Sequence, residues 1–318
     1  MSGGDKTYPY YDGASGIVKG SAVPLGGEYL SCEWCIVSVA DNSPAHLLTT
    51  HSLPAMSRPV ITLTTDFGMG SPYVAQVKGV ILSICRDVDL VDISHAIGPQ
   101  NIREGAVVLA DVTPRFPGGT IHVAVVDPGV GTSRRIVYAE IGEQRYLAPD
   151  NGLLSMLASR EQPRLVVALE NSDYWLPEPS QTFHGRDIMA PVAAHLARGV
   201  DPKELGPRRG ALVMLDWQHP QTTSSGIAGE VLLVDSFGNL ITNIGRDDVA
   251  ALGEPASLVV DCGGRKIRGI VPTYGAALAG EIVALFDSQE RLEIAKVGGS
   301  AARELHIEAG EPVVVSQL

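Results

Sequence analysis

The chain has little that would suit it to a membrane or a nucleic acid. None of its apolar runs reaches the roughly 18 residues of a membrane-crossing helix, and its N-terminus lacks a charged start followed by an apolar stretch and a cleavage site. Lys and Arg number 24 against 36 Asp and Glu, a formal net charge of −12. Because nucleic acids and anionic membranes reward clustered positive charge, we expect neither as a partner. We expect a soluble, cytoplasmic protein.

Cysteine is also scarce, with four in the whole chain. Cys32 and Cys35 have the spacing of half a zinc or redox site, but no second ligand pair accompanies them. Cys85 falls on the apolar face of a predicted helix, where a thiol packed in the core is the better interpretation. The cysteines therefore predict a reducing compartment and no metal site.

The pattern of the sequence changes along its 318 residues, a length that favours two domains. Residues 1–57 are rich in Gly, Ser, Tyr and Pro without a sustained period, and we expect a poorly ordered extension. Residues 58–205 alternate between strand and helix patterns, which is typical of an α/β sandwich with a largely parallel sheet. Residues 206–226 have the composition of a linker. Residues 227–318 contain short strands between turns, which predict a barrel-like all-β domain.

Several segments of the α/β part have clear signals. The apolar runs at 60–66 and 120–126 predict strands that are covered on both faces of the sheet. Residues 88–94 predict another strand. Asn101 with Glu104 is close to a capping box and predicts the start of a helix. A further helix is expected from about Asp187 to Arg198.

Three predicted strand ends or loops carry polar residues beside glycine, where open α/β sheets bind ligands. Asp66 follows the first strand and either accepts hydrogen bonds from a ribose diol or caps the next helix. Asp127 leaves a buried strand, and Arg134 lies where it could fold back as an ion-pair partner, structural or functional. The glycines between them lack the Walker A and dinucleotide spacings. His184 lies near a helix start, beside Gly185, which permits close approach of a ligand.

The β part contains one group of polar and aromatic residues. Asp235, Phe237 and Asn239 place an acid, an aromatic ring and an amide within five residues. Such a set suits an amine and a purine. By itself it is equally well explained as a strand followed by a turn.

Together, these segments resemble the SAM (S-adenosyl-L-methionine) hydroxide adenosyltransferase family, the SAM hydrolases, which are relatives of the fluorinases and chlorinases. Each motif alone is weak, but eight in the family's order, from about Pro59 to the C-terminus, are specific. They are Thr64-Thr-Asp66-Phe-Gly68, Asp92-Ile-Ser-His95, Asn101-Ile-Arg-Glu-Gly105, Val126-Asp-Pro-Gly-Val-Gly131, Pro149-Asp-Asn-Gly152, Phe183-His-Gly-Arg-Asp187, Phe237-Gly-Asn239 and Leu292-Glu-Ile-Ala295.

The resemblance implies a reaction and an assembly. Water attacks the 5′ carbon of SAM and releases adenosine and L-methionine, with SAM as substrate and no cofactor. The family forms a homotrimer whose active sites lie between the α/β domain of one subunit and the β-barrel of its neighbour. Its Asp-Arg-His triad maps onto Asp127, Arg134 and His184. The halogenating relatives replace the acid with an aromatic residue, and fluorinases have Tyr-Ser in place of His184-Gly185, so this chain falls on the water-using side.

The resemblance also implies the substrate contacts. Asp66 takes the ribose hydroxyls, Asp235 the methionine amine, and Phe237 with Asn239 the adenine. The remaining contacts are Tyr73 at the methionine end, Phe183 and Gly185 in the His184 motif, and Ser288 and Ala295 completing the adenine pocket. Two departures weaken the transfer: the spacing from Asp235 to Phe237 differs by one residue from fluorinases, and Gln100 stands where halogenases have a Trp beside the ribose.

The chemistry requires help mainly for the nucleophile. Displacement at a sulfonium releases a neutral thioether, so the leaving group needs no general acid, whereas water attacks weakly. We expect Arg134 and His184 to orient the water and stabilise its hydroxide character, while Asp127 fixes Arg134. A SAM-dependent halogenase and a non-catalytic SAM or adenosine sensor are the alternatives. A metal-dependent phosphoesterase ranks last, since no His-x-Asp or His-x-x-x-His ligand set supports it.

Overall fold

The computed structural model describes residues 58–318, together with the backbone of two short strands, β1 (Ile17–Val18) and β2 (Cys35–Ile36), which pair antiparallel. The predicted extension and the Cys32–Cys35 pair otherwise lie outside the described residues. Pro59–Leu318 forms one compact unit. It contains an α/β part followed by an all-β part, as the sequence predicts.

A six-stranded sheet forms the centre of the α/β part. Its strands are β3 (Val60–Thr65), β4 (Asp89–Ser94), β5 (Ile121–Val125), β6 (Ile136–Ile141), β7 (Gln144–Pro149) and β8 (Leu165–Ala168), in the order β4-β3-β5-β7-β6-β8. Three neighbouring pairs are parallel, and β6 is antiparallel to both β7 and β8. The predicted α/β sandwich is confirmed. Its sheet is mixed, because the short turn between β6 and β7 permits only antiparallel pairing.

Helices cover both faces of this sheet. They are α1 (Tyr73–Ile84), α2 (Ile102–Val112), α3 (Ser155–Arg160) and α4 (Ala190–Ala197). α1 and α4 pack on one face, and α2 and α3 on the other. The predicted cap of α2 is confirmed, since the Asn101 side chain accepts the Glu104 N–H at 3.1 Å and donates to the Glu104 carboxylate at 3.0 Å. Of the helices in residues 58–318, none has the length and apolarity to span a membrane.

The all-β part is an antiparallel, nearly closed barrel. Its strands are β9 (Gln221–Thr223), β10 (Gly226–Val234), β11 (Leu240–Gly245), β12 (Leu258–Cys262), β13 (Arg265–Arg268), β14 (Ile282–Phe286), β15 (Arg291–Lys296) and β16 (Pro312–Gln317), with short helices α5 (Arg246–Val249) and α6 (Ala301–Leu305). The strand order is β13-β12-β16-β10-β11-β15-β14. A bridge between Ile270 and Ala284 brings the two edge strands together, which confirms the predicted barrel-like domain.

The predicted linker at 206–226 is attached to the α/β part. The Trp217 indole N–H donates to the Ser155 hydroxyl at 2.9 Å, and the Val213 N–H donates to the Asp150 carboxylate at 2.7 Å. The segment ends in β9, which pairs with β10. These contacts hold the start of the barrel against the α/β part.

His122 on β5 is expected to make the fold sensitive to acid. Its ring is fully buried, lies 2.7 Å from the Thr62 hydroxyl and stacks on Tyr146. Burial lowers the pKa of His122 to about 4 from 6.5, so the unfolded chain takes up the proton first as the pH falls. Stability is therefore fully present above pH 6.5 and decreases towards pH 4, by about 3 kcal/mol for this group.

Urea unfolding of the wild type and of His122→Gln between pH 8 and pH 4 measures this contribution. The variant is less stable at pH 8, and the difference between the two proteins narrows as the pH falls. A difference that stays constant across this range would contradict the assignment.

Candidate active site

One edge of the mixed sheet collects the polar residues that the sequence singles out. β7 is parallel to β5, and β6 is antiparallel to both β7 and β8, so the start of β6 and the end of β8 lie at the same edge as the carboxyl ends of β3 and β5. Asp66 follows β3, Asp127 follows β5, and Arg134 immediately precedes β6. This is the edge at which open α/β sheets bind ligands.

Arg134 joins the other two residues of the predicted triad. Its Nε donates to both carboxylate oxygens of Asp127, at 3.0 and 2.9 Å, and its Nη2 also contacts that carboxylate. The same Nη2 lies 2.9 Å from Nδ1 of His184. The Asp127 and Arg134 side chains are only 7% and 11% exposed. The sequence therefore identified three residues that are in direct contact, with the arginine in the middle.

A glycine in the loop between Asp127 and Arg134 allows this loop to pack closely against the segment that precedes His184. Gly131 has a φ of +77°, and a Cβ at that position would lie 2.5 Å from the carbonyl oxygen of Gln181. Only glycine fits such a close approach. The loop that carries Arg134 is thereby packed against the segment that leads to His184.

The contact with Arg134 determines the tautomer of His184. A guanidinium has donors only, so Nδ1 of His184 accepts, and the neutral imidazole carries its proton on Nε2. Burial, and next the charge of Arg134, lower the pKa of His184, while Asp127 and Asp187 raise it. His184 is therefore neutral near pH 7 and presents an Nε2–H donor. With both nitrogens so assigned, it suits the positioning of a nucleophile better than the removal of its proton.

The predicted ribose ligand, Asp66, does not cap α1. Its Oδ2 accepts the backbone N–H of Gln100 at 2.8 Å, and α1 begins after Pro72 without a side-chain cap. Gln100 has a φ of +63°, in the left-handed region. Non-glycine residues adopt this region at a cost in backbone energy, so the surrounding structure must hold Gln100 in place. The Asp66 carboxylate is constrained through its hydrogen bond to Gln100, and its Oδ1 can accept a hydroxyl.

Three aromatic rings from the segments around Asp66 and His184 pack against one another. Phe67, Tyr73 and Phe183 make edge-to-face contacts with centroid distances of 5.2–5.9 Å. A Cβ on Gly185 would lie 3.3 Å from Val125, which shows how closely the His184 turn packs on β5. The sequence did not single out Phe67, although it follows Asp66 directly. Aromatic faces attract cations, and the Arg186 guanidinium already lies over the Phe183 ring, 4.9 Å from its centroid.

The barrel carries a cavity of about 350 Å³, which Phe237 and Asn239 line together with Tyr274 and residues 296–299. Asp235 holds the turn beside it, since its carboxylate accepts the N–H groups of Phe237 and Asn239 at 2.9 and 2.8 Å and the Asn239 amide at 3.1 Å. Asp235 thus supports the residues that line the cavity.

Two of the predicted adenine contacts occupy different places. Ala295 is buried in β15 directly before the lining segment 296–299, whereas Ser288 is exposed in the turn beyond the other end of β15. Ser288 therefore does not line this cavity. The sequence missed Tyr274, whose hydroxyl donates to the buried Glu293 at 2.6 Å. Burial raises the pKa of Glu293, and the nearby Asp235 raises it further.

Among residues 58–318, the barrel cavity and the cavity beside Arg134 and His184 have separate linings. The barrel cavity has no lining from the α/β part, and the cavity beside Arg134 and His184 has none from the barrel. Large apolar residues are exposed at both sets, with Met69 at 78% and Phe237 at 76%. Over the same described residues, no group of three or more His, Cys, Asp or Glu is placed to hold a metal ion.

Comparison with known proteins gives consistent similarities. The family models described as SAM hydroxide adenosyltransferase N-terminal and C-terminal domains match residues 61–206 and 229–314. The chain is 39% identical over 264 residues to an (R)-S-adenosyl-L-methionine hydrolase of Thermus thermophilus, with 80% of this chain and 98% of the relative covered. A hydrolase of the same name from Salinispora tropica is 37% identical over 266 residues, with 81% and 98% covered.

More distant relatives and a solved structure agree with these matches. A fluorinase of Actinopolyspora mzabensis is 29% identical over 293 residues, with 82% of this chain and 98% of the relative covered. The crystal structure of an uncharacterized conserved protein from Thermotoga maritima superposes with a TM-score of 0.77 at 34% identity, with 81% and 100% covered.

Proposed function

The chain belongs to the SAM hydroxide adenosyltransferase family, and from this premise we propose that it hydrolyses SAM to adenosine and L-methionine with Asp127, Arg134 and His184 as catalytic residues. The observation that carries the assignment is the contact of Arg134 with both Asp127 and His184 at the ligand-binding edge of the sheet. Halogenating relatives replace the acid of this set, whereas Asp127 is present here.

The geometry suggests how the reaction proceeds. The oxygen of water forms a bond to the 5′ carbon while the C–S bond breaks, and its electron pair remains on sulfur as a neutral thioether. Arg134 and the Nε2–H of His184 hold the oxygen and favour its hydroxide character, because donors stabilise negative charge in a partly buried site. Asp127 fixes Arg134 and balances its charge. Since the thioether needs no Lewis acid to leave, we propose a metal-independent reaction without a cofactor.

The binding residues divide between the two sets. In the α/β part, Asp66 takes a ribose hydroxyl, and the rings of Tyr73 and Phe183 flank the sulfonium. In the barrel, Phe237 and Asn239 take the adenine. The acidic surroundings of Asp235 and Glu293 favour the methionine ammonium, although Asp235 already accepts three hydrogen bonds within its turn.

We extend the proposal to the configuration at sulfur. The relatives at 37–40% identity are named for the (R) form of the substrate. A sulfonium with three different carbon substituents is chiral, and an enzyme that aligns the 5′ carbon with its leaving group distinguishes the two epimers. This chain is therefore expected to consume the (R)-sulfonium epimer in preference to the (S) epimer. We also expect it to act in the cytoplasm, a reducing compartment in which the thiols of Cys85 and Cys262 remain free.

The first experiment follows the products from purified protein and epimerised SAM in chloride buffer made with oxygen-18 water. The proposed function requires methionine and adenosine labelled at its 5′ oxygen, with faster loss of the (R) epimer. A 5′-chloro product would assign a halogenase instead. Binding without turnover would assign a sensor. Loss of activity in chelator would contradict the metal-independent reaction.

We also propose a homotrimer in which the α/β part of one subunit faces the barrel of the next. The support is that no described residue of the α/β part lines the barrel cavity and that each set exposes large apolar residues. Contiguous exposed apolar surface is typical of an interface or a ligand site. A closed ring of identical subunits makes three equivalent shared sites.

Mixing two inactive variants tests the shared site. His184→Ala inactivates the α/β set and Phe237→Ala inactivates the barrel set. The hydrolase activity of each homotrimer is therefore expected to be strongly impaired. After refolding together at equal amounts, about one quarter of the shared sites combine two intact sets, and activity returns to about that fraction of wild type. Activity no higher than the sum of the separate variants would place the whole site within one chain.

A further inference from the structure

A cavity of about 260 Å³, which we call the β8 cavity, opens beside the catalytic residues. Its lining extends from the exposed Thr132 and Glu170 past Trp175 to the largely buried Arg134 and to His184. A single water needs only ~15 Å³ of such space. The β8 cavity therefore has room for several waters between the surface and the catalytic pair.

The strand order places the far wall of the β8 cavity away from Asp66, the proposed ribose contact. Asp66 follows β3, whereas Ala168 and Leu169 of the cavity wall lie at the end of β8, four strands farther along the sheet. At a strand spacing of ~4.8 Å this separation is about 19 Å. Arg134, which precedes β6, lies between them. Of the α/β substrate contacts, none of Asp66, Tyr73 and Phe183 lines the cavity.

The polar lining supports occupation by water. Nε1 of Trp175 is buried and has no hydrogen-bond partner among residues 58–318. A buried donor without a partner is costly, and ordered water commonly satisfies it. Arg134, Arg135 and Thr132 add further polar groups along the same wall.

We propose that the β8 cavity supplies the nucleophilic water and carries away its proton, an inference that rests on the proposed function. Displacement requires the nucleophile opposite the sulfonium, so bound SAM blocks the path from its own side. Water from the cavity reaches Arg134 and His184, and its oxygen bonds to the 5′ carbon as the C–S electron pair passes to sulfur. The released proton passes to the waters of the cavity and then to solvent. Trp175 is a positioning residue for these waters.

Thr132→Trp tests the cavity by filling its exposed end, with Ser133→Trp as the matched control on the same exposed loop. Ser133 does not line the cavity. Thr132→Trp is expected to lower kcat by about tenfold or more and leave affinity for S-adenosylhomocysteine, a thioether without a leaving group, within about twofold. Ser133→Trp is expected to retain wild-type kcat.

The outcomes separate this inference from the proposed function. Wild-type protein that forms no adenosine would overturn the function itself. If the wild type is active and kcat is equal in both Trp variants, only the proposal that the β8 cavity supplies the water would be overturned. A loss of S-adenosylhomocysteine affinity in Thr132→Trp that matches its loss of activity would overturn the same proposal. Should Thr132→Trp fail to fold, Trp175→Phe keeps an aromatic ring, although a smaller one, and removes the indole donor. It is expected to lower kcat and change the solvent deuterium isotope effect, and unchanged values for both would overturn the proposal.

Discussion

Replacing Arg134 with alanine is expected to lower kcat by about 10²–10⁴-fold with little change in KM. Arg134 contacts both Asp127 and His184, so its loss removes a donor to the nucleophile and the partner that fixes the His184 tautomer. Arg134→Lys is expected to recover little, because an ammonium cannot reproduce the planar fork that bridges the two residues. Steady-state kinetics of both variants measure the loss.

Stability requires a separate control, because Arg134→Ala leaves the Asp127 carboxylate, 7% exposed, without its partner. Removing one member of such a buried pair costs about 3 kcal/mol or more. The double variant Asp127→Ala/Arg134→Ala removes both charges, so it is expected to regain thermal stability without regaining activity. Recovery of activity along with stability would show that the arginine acts only in folding.

Replacing His184 with alanine is expected to lower kcat by about 10²-fold or more and to remove the acid limb of the pH profile. Burial and the Arg134 charge lower the pKa of His184 below 6.5, so the imidazole is neutral at pH 7. Protonation of His184 would place a hydrogen on Nδ1, where it would face the N–H donors of the Arg134 guanidinium and break the hydrogen bond between the two residues. In the wild type, kcat/KM is therefore expected to be flat near neutrality and to fall as the pH decreases, with a midpoint below 6.5.

His195→Gln is the matched control for this profile. Burial, then Arg198, also lower the pKa of His195, but this residue lies on α4 and its ring packs against Tyr174. The control is expected to retain the wild-type acid limb. An acid limb that persists in His184→Ala, or a wild-type midpoint above 6.5, would assign the titration to another group.

Much of the architecture was predictable because it depends on local patterns. The apolar run at Val60–Thr65 predicts the strand that forms there. The Asn101 and Glu104 pair predicts the cap at which α2 begins. The short strands after residue 226 predicted a barrel by their spacing and turns. By contrast, the start of the last α/β helix was not predictable. There a π-helical turn at Gly185–Met189 precedes α4, and such turns are frequent at functional sites.

The sequence by itself determined which residues carry polar chemistry at strand ends, and the order of motifs identified Asp127, Arg134 and His184. Only the tertiary structure decided how they contact one another. Arg134 and His184 are 50 residues apart, and their contact follows from the antiparallel placement of β6 and from the approach at Gly131. That contact fixes the histidine tautomer. Periodicity reports which side of a segment is buried, but contacts between distant segments depend on strand order and chain packing. For the same reason, Tyr274 in the barrel cavity and Trp175 in the β8 cavity became visible only in the folded chain.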